Sequence, residues 1–194
     1  MLYRVAPEDI QYLRLSNERE TIVRDIVLPE NNTDTYKYIR EAVQAYPEIY
    51  FARLVVLGEG DSEQIVLPRI LEAKGIMPDI AAICITPLGG RHVNHFWRLL
   101  NDLDIPYLTL LDLDMCRYQG GWGRIKYVND QLTEYRPIDR LPDTLTIYPW
   151  DGGVNIRAPE TLAYLNHLEN KGIFFSAPLD LDFAMIKAYP NSYE

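Results

Sequence analysis

The chain has 194 residues, of which 47% are hydrophobic, and a formal net charge of −9. That length corresponds to one domain or one domain with an extension, and the apolar fraction supports a core without disulfide or metal staples. The acidic balance excludes a broadly basic nucleic-acid-binding surface. It does not exclude an enzyme acting on nucleic acid, because carboxylates gathered around divalent metal inflate the formal count and the bound ions reverse the local sign.

Residues 1–49 carry short apolar pieces among scattered charges and show no core of their own, so they are expected to be a linker or the tail of an upstream domain. Within them NNTDTYKYIREAVQAYP predicts a helix, with Thr33 or Asp34 as N-cap and Pro47 as its end. From Arg53 onward strands and helices alternate. RLVVLG is a continuous apolar run of strand length. DSEQIVLPRILEAKG predicts a helix capped by Asp61, with Gln64 completing a capping box, Pro68 disturbing the interior and Gly75 stopping it. DIAAICITPLGG predicts a strand and a Gly-Gly loop. HVNHFWRLLNDLD predicts a helix burying Val93, Phe96, Trp97, Leu100 and Leu103.

PYLTLLDLD is the next strand, and GWGRIKYVNDQLTEY the next helix. LTIYPW is a candidate strand, followed by the helix APETLAYLNHLENKG, the strand IFFS and the helix PLDLDFAMIKAYP. Such alternation implies an α/β fold, a parallel sheet with helices on both faces. Cys84 lies in the apolar run AAICIT and Cys116 follows DLD, with no Cys/His spacing for zinc; this usage fits a reducing cytoplasm. The N-terminal stretch lacks a signal pattern, and no apolar run is long enough to span a membrane.

In open α/β sheets ligands bind beyond the carboxyl ends of the strands. There the first strand after Arg53 supplies Glu59, then Asp61 and Glu63, and the third supplies Asp112 and Asp114. Period-two geometry predicts that Asp112 and Asp114 point one way and Leu113 the other. If the two strands are neighbours, their carboxylates converge, repel one another, and call for a hard divalent cation such as Mg2+ or Mn2+. Each acid alone has a plainer reading: Asp61 as a helix cap, Glu63 as a first-turn acid, DxD as a solvated turn. GEGDSE and DLD together are more specific, with Gly58 and Gly60 leaving Glu59 in a tight turn open to a ligand.

FARLVVLGEGDSEQIVLPRILEAKG, with PLGGRHVNHFWRLLNDLDIPYLTLLDLD, resembles the Toprim domain of the overcoming-lysogenization-defect (OLD) family of ATP-dependent endonucleases. The Toprim pattern, on a Rossmann-like sheet, is a Glu after the first strand and DxD after the third, matched by Glu59 and by Asp112 with Asp114. The OLD version adds a Glu four residues after the first, matched by Glu63. The resemblance implies a Toprim nuclease domain over residues 50–194, with residues 1–49 as the join to an upstream ABC-type ATPase. It further implies DNA as substrate, a two-metal site for Mg2+ or Mn2+, a dimer, and in several relatives a role in phage defence. Glu59, Asp112 and Asp114 would hold the core metal, and Glu63 with a late acid the second. FFSAPLDLDFAM offers Asp180 and Asp182 for that late acid where the family pattern has Glu, and Asp182 is the choice here. The family's catalytic lysine is expected beyond Glu194, and Lys187 has no spacing to recommend it.

No GxxxxGK[ST] motif occurs, so ATP would act only through an ATPase domain absent from this chain. Arg91, His92 and Arg117 are candidate DNA-phosphate contacts, the first two beside the Gly-Gly loop and the third after DLD. Arg124 and Lys126, with Arg117, could form a phosphate-facing rim beside the metals, but a solvated helix face is the plainer reading; Trp97 and Trp122 read as packing residues. Two other readings remain: a Toprim domain of primase or topoisomerase type, and a domain that keeps the acids but mainly docks or dimerises.

Overall fold

The computed structural model describes residues 5–6, 9–16, 18–26, 37, 40, 44–88, 93–145 and 155–192. In chain order an antiparallel hairpin, β1 (Gln11–Leu15) and β2 (Thr21–Asp25), comes first. Then follow β3 (Leu54–Gly58), α1 (Asp61–Ala73), the short α2 (Pro78–Ala81), β4 (Ile83–Pro87), α3 (Val93–Asp102) and β5 (Tyr107–Asp112). The series closes with α4 (Trp122–Tyr135), α5 (Pro159–Glu169), β6 (Ile173–Ser176) and α6 (Leu181–Ala188).

β3 to β6 form a parallel sheet in the order β4-β3-β5-β6. The two acid-terminated strands are therefore neighbours, with Val55 opposite Tyr107 and Leu57 opposite Thr109. Strand order reverses there: β4 follows β3 on one side, and β5 returns to the other. Right-handed crossovers in opposite directions place α1 and α3 on opposite faces of the sheet, which is the layered α/β architecture the alternation predicts. The reversal point between β3 and β5 is also where such sheets open a crevice at their carboxyl edge.

The core is built as the spacing predicts. Val93, Phe96, Trp97, Leu100 and Leu103 are all buried, as are Val55 and Leu57 in β3 and Ile125, Val128 and Leu132 in α4. Trp97 is fully buried and donates its indole N–H to Thr109 Oγ1 at 2.9 Å, so both polar groups are satisfied inside the core. Trp122 packs edge-on against Tyr164 with centroids 5.0 Å apart.

Several local expectations shift. The N-cap of α1 is Gly60 rather than Asp61, and Glu63 rather than Gln64 reaches back to it. Gly75 ends that helix as expected, in the left-handed region at φ 80°. Pro68 lies inside α1, which continues through it. Residues 78–81 are a helical turn, not strand, so β4 starts only after Ala82. The N-terminal segment contains the hairpin, whose five-residue strands are too short to dominate a sequence pattern. Ile26, Ile49 and Tyr50 join the main core, and Ile10, Tyr12 and Tyr46 pack against it. Lys37, Arg40, Gln44 and Ala45 are helical, whereas Thr33 and Asp34 lie outside the described residues. The helix stops before Pro47, as expected, and Pro47 opens a 3-10 turn (Pro47–Phe51). The candidate strand at 145–150 has Leu145 in a 3-10 turn, and its other residues lie outside the described ones.

Candidate metal centre

Glu59 follows β3, and its Oε2 accepts the backbone N–H of Asp112 at 3.0 Å, which joins the two strand ends directly. Gly58 makes room beside it: a Cβ there would stand 2.4 Å from Glu63 Cβ. Glycine thus lets the first turn of α1 close onto the end of β3. Glu63 is only 2% exposed, and its Oε2 accepts the Gly60 N–H at 2.8 Å. Because glycine has no side chain to return a bond, this is one half of a capping box. Burial pushes the Glu63 carboxyl upward, and Glu59 and Asp182 add to the rise against the bonds from backbone N–H groups.

Asp112 ends β5, and its Oδ1 accepts the N–H of Leu181, at the start of α6, at 3.3 Å. Burial first, then the charges of Glu59, Glu63 and Asp114, push its pKa up to about 7. Asp114 lies beyond the strand in a left-handed conformation, φ 52°. Strand periodicity therefore does not govern its direction; the loop does. Its N–H donates to Leu179 O at 2.8 Å, and its carbonyl accepts from Arg117 N–H at 3.0 Å. A Cβ at Gly120 would lie 1.8 Å from that carbonyl oxygen.

Two arginines enter the cluster. Arg124, on α4, is 8% exposed, and its Nη2 donates to Glu59 Oε1 at 2.7 Å and Asp114 Oδ2 at 2.5 Å. Burial alone would lower its pKa, but Asp114 and Glu59 raise it overall. The solvated-face reading of Arg124 is thus corrected. The residues at 124, 128 and 132 are all buried, so i, i+4 spacing with Val128 and Leu132 was the available signal. Lys126 does lie outward, paired with Asp130. Arg117, with its side chain 56% exposed, contacts Asp114 Oδ1 at 2.6 Å and Asp180 Oδ2 at 2.8 Å.

Asp180 caps α6 by accepting the Phe183 N–H at 2.8 Å, while Asp182 Oδ2 accepts from Ser62 Oγ at 3.0 Å. α6 and α1 thus meet at the same edge as the strand ends. The fold brings together Glu59, Glu63, Asp112 and Asp114, adds Asp182 from α6, and turns Arg117 toward the acids. Arg91 and His92 lie outside the described residues. Among the described residues no three His, Cys, Asp or Glu side chains form a ready coordination shell. Arg124 stands between Glu59 and Asp114 instead. The donor chemistry nevertheless fits a hard cation: the candidate ligands are all oxygen, and burial together with three neighbouring carboxylates pushes the Asp112 carboxyl up to about 7.

A parallel sheet with carboxylates at the adjoining ends of β3 and β5 defines a Toprim-type α/β domain. The family model for the Toprim domain of overcoming-lysogenization-defect-like proteins matches residues 50–114 of this chain. The match includes Glu59, Glu63, Asp112 and Asp114 and stops before α6. The C-terminal region of the Xanthomonas campestris pv. campestris OLD protein is similar in structure, with a TM-score of 0.52 and 22% identity over 75% of this chain and 60% of that one. The C-terminal region of the Burkholderia pseudomallei OLD protein gives a TM-score of 0.52 and 24% identity over 73% of this chain and 61% of that one. The chain therefore spans about 60% of the length of the first of these structures, and the likeness establishes the shared fold. No curated protein matches the chain. Among the described residues no helix is long and apolar enough to cross a membrane.

Proposed function

We propose that this chain is the metal-dependent nuclease domain of an OLD-type ATP-dependent endonuclease, hydrolysing DNA phosphodiester bonds. The observation that carries the reading is the direct bond between Glu59 and the backbone of Asp112, which brings the family's acids to one point at the reversal of strand order. Glu59, Asp112 and Asp114 would hold the core Mg2+ or Mn2+, and Glu63 with Asp182 the second. Such ions supply Lewis acidity and a lowered pKa for bound water. The chain's own residues set the cluster: Gly58 admits Glu63, the Leu181 N–H orients Asp112, and Ser62 holds Asp182. Arg117 is exposed enough to meet a DNA phosphate, with Arg91 and His92, a few residues after β4 in the sequence, as further contacts.

In this reading residues 1–49 join the domain to an upstream ABC-type ATPase, the protein acts as a homodimer in the cytoplasm, and its biological setting is phage defence. ATP acts only through that ATPase.

The test is plasmid cleavage by the purified chain in EDTA, Mg2+ or Mn2+, beside Asp112→Ala. Metal-dependent nicking that the variant loses by a factor of 100 or more supports the reading, on the order of one essential group removed from a catalytic centre. A parent chain that neither cleaves DNA nor binds metal would sink it. One observation favours a second reading: Arg124 already neutralises part of the charge on Glu59 and Asp114. A docking or dimerisation domain could keep its acids on that basis, and absence of metal binding would be its signature.

A further inference from the structure

Among the described residues Arg124 is the only buried basic residue, and it sits on the acids that define the centre. Its attachment is unusual. Both ion pairs run through one nitrogen, Nη2, while Nε is buried with no hydrogen-bond partner. The strong form of an arginine–carboxylate contact uses two parallel donors, so this guanidinium is held by charge more than by a matched fork. It also links acids from two different segments, Glu59 after β3 and Asp114 after β5. Without it, the metal-free protein would gather Glu59, Glu63, Asp112 and Asp114 with no buried counter-charge.

We propose that Arg124 is a built-in competitor for the divalent cation: it holds Glu59 and Asp114 together in the metal-free protein and gives up at least one of them when the cation binds. The proposal rests on the reading of the centre as metal-binding. Arg124 is then a positioning residue. It keeps the acids assembled before loading and weakens metal affinity, so that the domain loads only above a threshold of free cation. A purely structural arginine behaves differently, because its loss lowers metal-free stability and metal affinity together.

The experiment uses the 194-residue chain with Arg124→Gln and Arg124→Lys, titrated with Mn2+ alone by calorimetry, with thermal melts in EDTA. The expected result for Arg124→Gln is a lower melting temperature in EDTA together with about tenfold tighter Mn2+ binding, the scale on which groups around metal ligands act. Arg124→Lys, with one point charge in place of a fork, is expected to fall between. If the parent binds Mn2+ and both variants bind it equally or more weakly, the proposal is overturned while the metal reading stands. If the parent binds no Mn2+, both fall. Should the Gln variant fold only when Mn2+ is present, that rescue supports the proposal. Should it fold in neither condition, the affinity of the Lys variant decides by the same criterion.

Discussion

Asp112 shows how a single side chain records its surroundings. Its pKa of about 7 means that near neutral pH the folded protein holds a proton which the unfolded chain, whose aspartate titrates near the ordinary value of about 4, releases. A folded pKa raised in this direction makes metal-free stability fall as pH rises from about 4 to about 7, and stay reduced above that. Asp112→Asn keeps an oxygen to accept from Leu181 N–H but carries no charge. In EDTA the variant is therefore expected to match the parent near pH 4 and to exceed it above pH 7. Because Asp112 is only partly buried, solvent screening leaves a gain on the order of 1 kcal/mol, or about 2–4 °C in melting temperature. Thermal melts of both proteins across pH 4–8 check this, and parallel pH profiles would refute the crowding argument. At this scale the sequence was informative about which acids stand at the strand ends and silent about how crowded they are. Crowding depends on distances between segments 53 residues apart, such as Glu59 and Asp112.

At the scale of elements, the loop between β5 and α4 does what the strand pattern could not. It leaves the strand at Asp112, turns Asp114 into the left-handed region and folds back so that Gly121 N–H reaches Leu113 O at 2.6 Å. Gly120 lies directly against the Asp114 carbonyl, and backbone cannot swing aside as a flexible side chain can. Gly120→Ala is accordingly expected to cost about 3 kcal/mol, the upper end of an overpacking substitution, and to weaken Mn2+ binding by displacing Asp114. Chemical denaturation and metal titration read the two effects separately; a variant with parental values in both would show that the loop adapts. The helices were legible here because 3.6-residue periodicity is local. The turn was not, because left-handed residues such as Asp114, Cys116 and Gln119 carry no glycine to mark them.

For the whole molecule, the decisive feature is that the N-terminal segment shares the sheet's core. Ile26 is 6% exposed and belongs to the same cluster as Ile49, Trp97 and Leu100, whereas Leu13 on the hairpin is 62% exposed. Ile26→Ala is expected to lower stability by about 2–4 kcal/mol, and Leu13→Ser to change it by less than about 0.5 kcal/mol. Equilibrium urea unfolding compares the two; near-neutral behaviour of Ile26→Ala would mean that the N-terminal segment contributes little to the domain. If both values hold, the segment is part of the folded unit even if it also leads toward an upstream ATPase.

By itself the sequence determined the α/β alternation, the main helices, the helical core positions and the acids at the strand ends. Each of these is written in short-range spacing or in a compact motif. Only the tertiary structure decided that β3 and β5 are neighbours, that Arg124 is buried between Glu59 and Asp114, and that the hairpin docks on the core. The physical reason is that periodicity says which face of an element is apolar but not which element it meets. A buried charge, in turn, takes its partner from strand order and loop path, which are set by the chain as a whole.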